Sequence, residues 1–177
     1  CNTGAYGSYG IAVASRASVH ATGPYEIEHV DAETACVYTN DVFYGAMRGF
    51  GVPQMAFAHE SQIDCHAQKL NIDPLKIRHI NALIPGSMTG TQQTLTASVG
   101  YRDCLDAIEP YYQKAKDVWL KEEISPLIRR GIGIGGMWYG IGNTGVNNPS
   151  TARVEMSNTG VVTLFTGCAE IGQGSTT

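Results

Sequence analysis

The sequence has no C-x-x-C pair: Cys1, Cys36, Cys65, Cys104 and Cys168 are odd in number and widely spaced. That pattern argues against a disulfide framework, a zinc ribbon or an iron–sulfur cluster built wholly from this chain. Five unpaired thiols predict a reducing, cytoplasmic setting. Twelve Lys and Arg face sixteen Asp and Glu, a formal net charge of -4, and the cations are scattered. No basic stripe suits nucleic acid and no cationic amphipathic segment suits a membrane surface. No apolar run approaches the roughly 18 residues of a membrane span, and no signal peptide is visible. There is no G-x-S-x-G nucleophile elbow and no G-x-x-x-x-G-K-[ST] phosphate loop. The carboxylates show no pairing that singles out a general acid or base, so no catalytic side chain and no metal ligand is assigned within the chain.

What is present is glycine, 21 residues of it in 177, concentrated at both ends and sparse between Pro53 and Ser125. With 43% hydrophobic residues the chain can bury a core as one domain or two small ones. It begins without methionine and stops at "GQGSTT", which is expected of an internal piece of a longer polypeptide. A helix is predicted from about Ile11 to His20, ended by "TGPY", and a strand over "IEHVDAETACVYTN". Pro53 suits a first helical turn, and Val52, Ala56, Ile63, Ala67 and Leu70 recur at helical spacing. Asp73 and Pro74 cap and open a second helix that Pro85-Gly86 stops. A third runs from Tyr101 toward Glu123, with Pro110 kinking it or marking its true first turn. From Arg129 the period becomes two: "RRGIGIGGMWYGIG" reads as a closely approached strand, and "TARVEMSNTGVVTLFTG" as a hairpin turning at Asn158-Thr159-Gly160.

Several motifs invite chemistry. Gly131, Gly133 and Gly136 fit G-x-G-x-x-G, a dinucleotide fingerprint that has force only between a strand and a helix. Here Met137, Trp138 and Tyr139 continue the apolar run and no helix signal follows. His59, Cys65 and His66 share a predicted helix, yet the H-E-x-x-H spacing of a zinc site is missing, so they read as polar positions of an amphipathic helix. Two stretches stand out. In "YGAMRGFGVPQ", Gly45, Gly49 and Gly51 permit backbone angles closed to other residues, so Arg48 and Phe50 can project at a ligand. In "EIGQGSTT", Gly172 and Gly174 flank Gln173, and Ser175 follows as a hydroxyl donor: the makings of an anion cradle. Each taken alone is also what an ordinary glycine turn looks like.

Together and in this order, the two stretches resemble the molybdenum-cofactor-binding large subunit of the xanthine dehydrogenase and aldehyde oxidoreductase family. Its usual loop, A-F-R-G-F-G-x-P-Q, is matched by "GAMRGFGVPQ", and its pterin loop, E-M-G-Q-G-x-x-T, by "EIGQGSTT". "NTGAYGSYG", "ATGPYEIEHV", "LNIDPLKIRHINAL" and "SVGYRDCLDAI" also look like family segments in family order, so the resemblance covers nearly the whole chain. It implies an α+β fold with residues 1–125 closing the first molybdenum-binding half and 126–177 opening the second. It implies a hydroxylase that places oxygen from water on an aldehyde or heteroaromatic carbon. The cofactor would be molybdopterin, its cytosine-dinucleotide form left open, with [2Fe-2S] clusters and FAD on partner domains or subunits.

By the same resemblance, Met47, Arg48, Gly172, Gln173, Gly174 and Ser175 bind the cofactor, while Arg16, Phe50, Asn143 and Thr144 face the substrate. Arg16 falls where purine hydroxylases carry an arginine that polarises a substrate oxygen; a solvated helix charge is the plainer alternative. Met47 stands where phenylalanine is usual, and the loop lacks the cysteine of the carbon monoxide dehydrogenase branch. The F-G-G-K-E segment and the catalytic glutamate, the general base, are expected elsewhere in the large subunit, so the chain alone is expected to be inactive. The rivals are a cofactor-free assembly module that kept the fold, and a nicotinamide-dependent dehydrogenase.

Overall fold

The computed structural model describes residues 1–122, 125–140, 147 and 149–175. They form two compact units, 1–139 and 140–177, each considered by itself. The first holds four helices: α1 (Gly10–Val19), α2 (Val52–Leu70), α3 (Pro74–Asn81) and α4 (Tyr101–Lys114). A π-helical turn, Ala115–Trp119, extends α4. The second holds an antiparallel hairpin, β1 (Ala152–Met156) and β2 (Val162–Thr166), in register from Ala152 opposite Thr166 to Met156 opposite Val162. Helices with one small sheet make the α+β class that the sequence implies.

Local chemistry sets the boundaries. Gly10, Ala14 and Ala17 recur on one buried face of α1, where small side chains let neighbouring backbone come close. Pro53 sits in the first turn of α2, and the helix ends on left-handed Asn71, whose N–H and that of Ile72 bond back to Gln68 and Ala67 carbonyls. The Asp73 carboxylate accepts from the N–H groups of Leu75 (2.8 Å) and Lys76 (3.3 Å), capping α3 as predicted. Burial raises the Asp73 carboxyl, but bonds from the Lys116 ammonium and these two N–H groups outweigh it and hold it below the usual range. Leu75, Ala82, Leu105 and Tyr112 form the core between α3 and α4, with Tyr101 and Ile134 against it.

Four expectations need correction. The stretch from Ile27 to Asn40 forms no strand; its one ladder contact is an isolated bridge between Val37 and Asn2. Extended propensity alone does not make a strand where no second strand runs alongside. α3 stops at Asn81 rather than at Pro85-Gly86, because Ala82 turns extended to bridge Tyr25, with Glu26 N–H on Asn81 O and Leu83 N–H on Pro24 O. α4 stops at Lys114 and the π turn at Trp119, and Pro110 lies inside α4 rather than in its first turn. Residues 129–140 form no ladder; within them Ile134 O meets Arg78, and Trp138 and Tyr139 pack on His20 and Arg16.

The Arg78 contact belongs to a buried ion network missed in the sequence. Arg78, fully buried, donates through Nε to Glu60 Oε2 (2.8 Å) and through its terminal nitrogens to Asp64 Oδ1 (2.8 Å), Pro74 O (2.9 Å) and Ile134 O (2.9 Å). The Tyr25 hydroxyl donates to Glu60 Oε1 (2.5 Å) and meets Tyr101 Oη at 2.9 Å. A Cβ at Gly136 would clash with that same Tyr101 oxygen, so the network and the glycine run touch. Burial pushes the Glu60 carboxyl up, yet bonds from His59, Tyr25 and Arg78 hold it below the ordinary carboxylate value. With its donors spent on protein acceptors, Arg78 is a fastener rather than a reagent.

Candidate functional site

The loop before α2 is seated directly on α1. Gly49, Phe50 and Gly51 take φ of 101°, 47° and 85°, three left-handed residues in succession. For Phe50 that conformation costs about 1–2 kcal/mol, a strain worth explaining in a displayed aromatic residue. The path is fixed by Phe50 N–H on Met47 O (2.9 Å) and Val52 N–H on Gly49 O (3.0 Å). A Cβ at Gly51 would stand 2.5 Å from Val13 O and 3.2 Å from Ala17 Cβ, and one at Gly49 would stand 2.6 Å from Pro53 Cδ. The glycines therefore supply close approach as well as angle. The Phe50 ring stacks on Tyr9 at 6.3 Å and 16°, while Met47 and Arg48 face outward, Met47 at 79% exposure. Among the described residues Arg48 has no ion-pair partner.

Arg16 rides on the same helix that the loop abuts. It is half-buried, its guanidinium carbon 5.1 Å above the Tyr139 ring, so it is more engaged than a solvated helix charge. Below it His20, 1% exposed, packs against Trp138 (4.8 Å) and Tyr139 (5.4 Å), its Nδ1 2.9 Å from Arg16 O. Burial, assisted by the Arg16 charge, lowers the His20 pKa against the raising effect of that backbone bond, which keeps the ring neutral near pH 7. The structure thus brings Arg16, the Phe50 loop and the Trp138-Tyr139 segment around α1. Asn143 and Thr144 lie outside the described residues.

In the second unit, Gly172 and Gly174 take φ of 97° and 81°, turning the N–H groups of 172, 174 and 175 inward. All three bond to the Glu170 carboxylate, at 2.6, 3.1 and 2.6 Å, and the Ser175 hydroxyl adds a fourth bond at 2.9 Å. The bond from Gly174 N–H, then that from the Ser175 hydroxyl and the other N–H groups, hold the Glu170 carboxyl down to about 2. Gln173 braces the loop: its Nε2 donates to Ala169 O (2.7 Å) and its Oε1 accepts from Ile171 N–H (2.7 Å). The four predicted residues of this stretch are thereby brought into one concave turn.

Other candidates resolve plainly. Cys65 and His66 are exposed on α2 and gather no further ligand. The one group of three metal-capable side chains among the described residues is His79, Asp106 and Glu109, whose carboxylates are exposed and whose neighbour Lys76 is cationic. No helix follows Gly131–Gly136 through residue 140, and no described helix is long and apolar enough to cross a membrane. The Glu60–Arg78 fastener had one signal available in the sequence, the i, i+4 spacing of Glu60 and Asp64 on one helix face. His20 had none.

Two family models, each described as a molybdopterin cofactor-binding domain, match residues 1–82 and 107–177. The chain belongs to the molybdenum hydroxylase family. Among its relatives, the nicotinate dehydrogenase large molybdopterin subunit of Eubacterium barkeri is 44% identical over 66% of this chain and 27% of its own length. A putative xanthine dehydrogenase molybdenum-binding subunit of Escherichia coli is 33% identical over 99% of this chain and 24% of its own. The crystal structure of the Desulfovibrio desulfuricans aldehyde oxidoreductase superposes with a TM-score of 0.77 at 29% identity, over 92% of this chain and 18% of that one. The chain therefore spans about a quarter or less of the family members it matches, in their molybdopterin-binding part.

Proposed function

We propose that this chain supplies part of the molybdopterin cradle and one wall of the substrate pocket in an enzyme that hydroxylates a purine, another heteroaromatic ring or an aldehyde, with water as oxygen source. The observation that carries the reading is the four-donor turn at 172–175 in a chain of this family. Three N–H groups and a hydroxyl converging on a carboxylate are the right chemistry for an anionic, acceptor-rich group such as a pterin phosphate. Gly172, Gln173, Gly174 and Ser175 would hold that group, and Met47 and Arg48 would present backbone and charge to the rest of the cofactor. When bound, such a group supplies oxygen transfer and takes up two electrons.

This chain's own residues bind, orient and exclude water. Phe50 offers a ring held rigid by its left-handed backbone and by Tyr9. Arg16 is the proposed polar contact to the substrate, where a cation favours a carbonyl or carboxylate. Asn143 and Thr144 join it only as proposed substrate-binding positions. The general-base glutamate belongs to the remainder of the large subunit, so the chain alone turns nothing over. Electrons leave through [2Fe-2S] clusters and usually FAD on partner domains or subunits. The two molybdenum-binding halves divide at 125/126 in this reading. The hairpin's Val154, Met156, Val162 and Leu164 are all exposed, an apolar set of the kind that packs against a further surface.

The test is Arg16→Met in the whole enzyme, assayed on paired substrates. Losing one charge-assisted hydrogen bond, about 1.5–3 kcal/mol, lowers kcat/KM roughly tenfold to 150-fold for purines or carboxylated rings. Plain aldehydes are unaffected. An equal effect on both classes would remove Arg16 from the pocket.

A further inference from the structure

The turn that carries the proposed function already holds an anion of its own. Glu170 Oε1 accepts from Gly172 and Gly174 N–H, and Oε2 from the N–H and hydroxyl of Ser175, so every inward donor of the turn is engaged by one side chain. Residues 170–175 are otherwise exposed, and among the described residues no cationic side chain pairs with Glu170. The carboxylate is thus held by main-chain dipoles and one hydroxyl at a solvent-exposed position.

We infer that Glu170 is an intramolecular placeholder, whose carboxylate keeps the 172–175 turn in its anion-binding shape and must leave when the anionic group of an incoming cofactor enters. The inference rests on reading this turn as the cofactor cradle. Two anions cannot use the same donors, and at hydrogen-bonding range they repel. Competition of this kind lowers affinity by the fraction of time the cradle is open, while sparing the loop the cost of ordering on binding. Protonation does not provide the release. With its carboxyl held to about 2, Glu170 remains charged at every pH from 4 to 9, and the ligand itself has to displace it.

The experiment is a titration of the isotopically labelled full chain with inorganic phosphate at pH 7, following the backbone amide resonances of Gly172, Gly174 and Ser175. Wild type, Glu170→Ala and Glu170→Gln are compared. Glu170→Ala is expected to bind phosphate at least about tenfold more tightly than wild type, the gain for a cradle otherwise open a tenth of the time. Glu170→Gln, with a neutral and weaker acceptor, falls between them. Should Glu170→Ala lose the turn's amide dispersion before phosphate is added, Glu170→Gln against wild type decides by the same criterion. Equal affinities in variant and wild type overturn the placeholder while leaving the cradle standing. No phosphate response in any of the three overturns the cradle as well.

Discussion

Replacing Arg78 by methionine strips the 1–139 unit of its central fastener, and the size of the effect follows from what is left behind. The Glu60 carboxylate, its side chain 10% exposed, loses its guanidinium partner but keeps the Tyr25 hydroxyl, and Ile134 O loses its donor. Breaking a buried ion pair from one side costs about 3–5 kcal/mol. At roughly 2–4 °C per kcal/mol for a unit near this size, the melting temperature should fall by about 6–20 °C. Both tryptophans, Trp119 and Trp138, lie in this unit, so tryptophan fluorescence reports its unfolding alone. The sign of the pH dependence is also fixed. A carboxyl held below its unfolded value of 4.5 contributes stability above that pH and loses it as pH falls through the folded value. Wild type should therefore weaken below pH 4.5, and its lead over Arg78→Met should narrow there. A deficit under about 1 kcal/mol at pH 7, typical of an exposed pair, would refute the fastener.

Other outcomes follow from the same geometry. Gly51→Ala adds a Cβ 2.5 Å from Val13 O at φ 85°, and should cost about 1–3 kcal/mol in urea unfolding while moving the Met47–Arg48 segment. Asp73→Ala removes the α3 cap and the 2.5 Å contact with Lys116, and should cost about 0.5–2 kcal/mol at pH 7. Because the Asp73 carboxyl is held low, that cost should fade as pH drops below 3.8, which a pair of acid titrations followed by fluorescence will show. Arg48→Ala, at an exposed position, should leave the unfolding free energy in urea within about 0.5 kcal/mol of wild type yet lower the molybdenum occupancy of the whole enzyme.

Where local chemistry decides, the fold was legible. Pro53 and the 3.6 period place α2 from Val52 to Leu70, Asp73-Pro74 opens α3, and Asn158-Thr159-Gly160 turns the hairpin, with Gly160 at φ 78°. Where a distant partner decides, it was not. Residues 27–40 have strand propensity but meet no neighbouring strand, and α3 yields its last turn to the bridge between Ala82 and Tyr25. The two glycine loops announced themselves by spacing, since few side chains tolerate φ of 81–101°. The left-handed Phe50, the His20–Trp138 packing and the Arg78–Glu60 pair depend on contacts across 18 or more positions of sequence or on strain, and neither leaves a period to read. Glu170, the first residue of the stretch singled out for its anion chemistry and not itself assigned a role there, is the group that fills it.

The proposed function makes each glycine loop a cofactor-binding element of a molybdenum enzyme. Metal analysis of the whole enzyme, purified together with the chains that accompany it, tests that most directly. Molybdenum should be stoichiometric with this chain, and should be lost when Gly172 and Gly174 are both replaced by alanine in an otherwise folded protein. Wild-type enzyme free of molybdenum would contradict the claim and would point to an assembly module that keeps the fold without the cofactor.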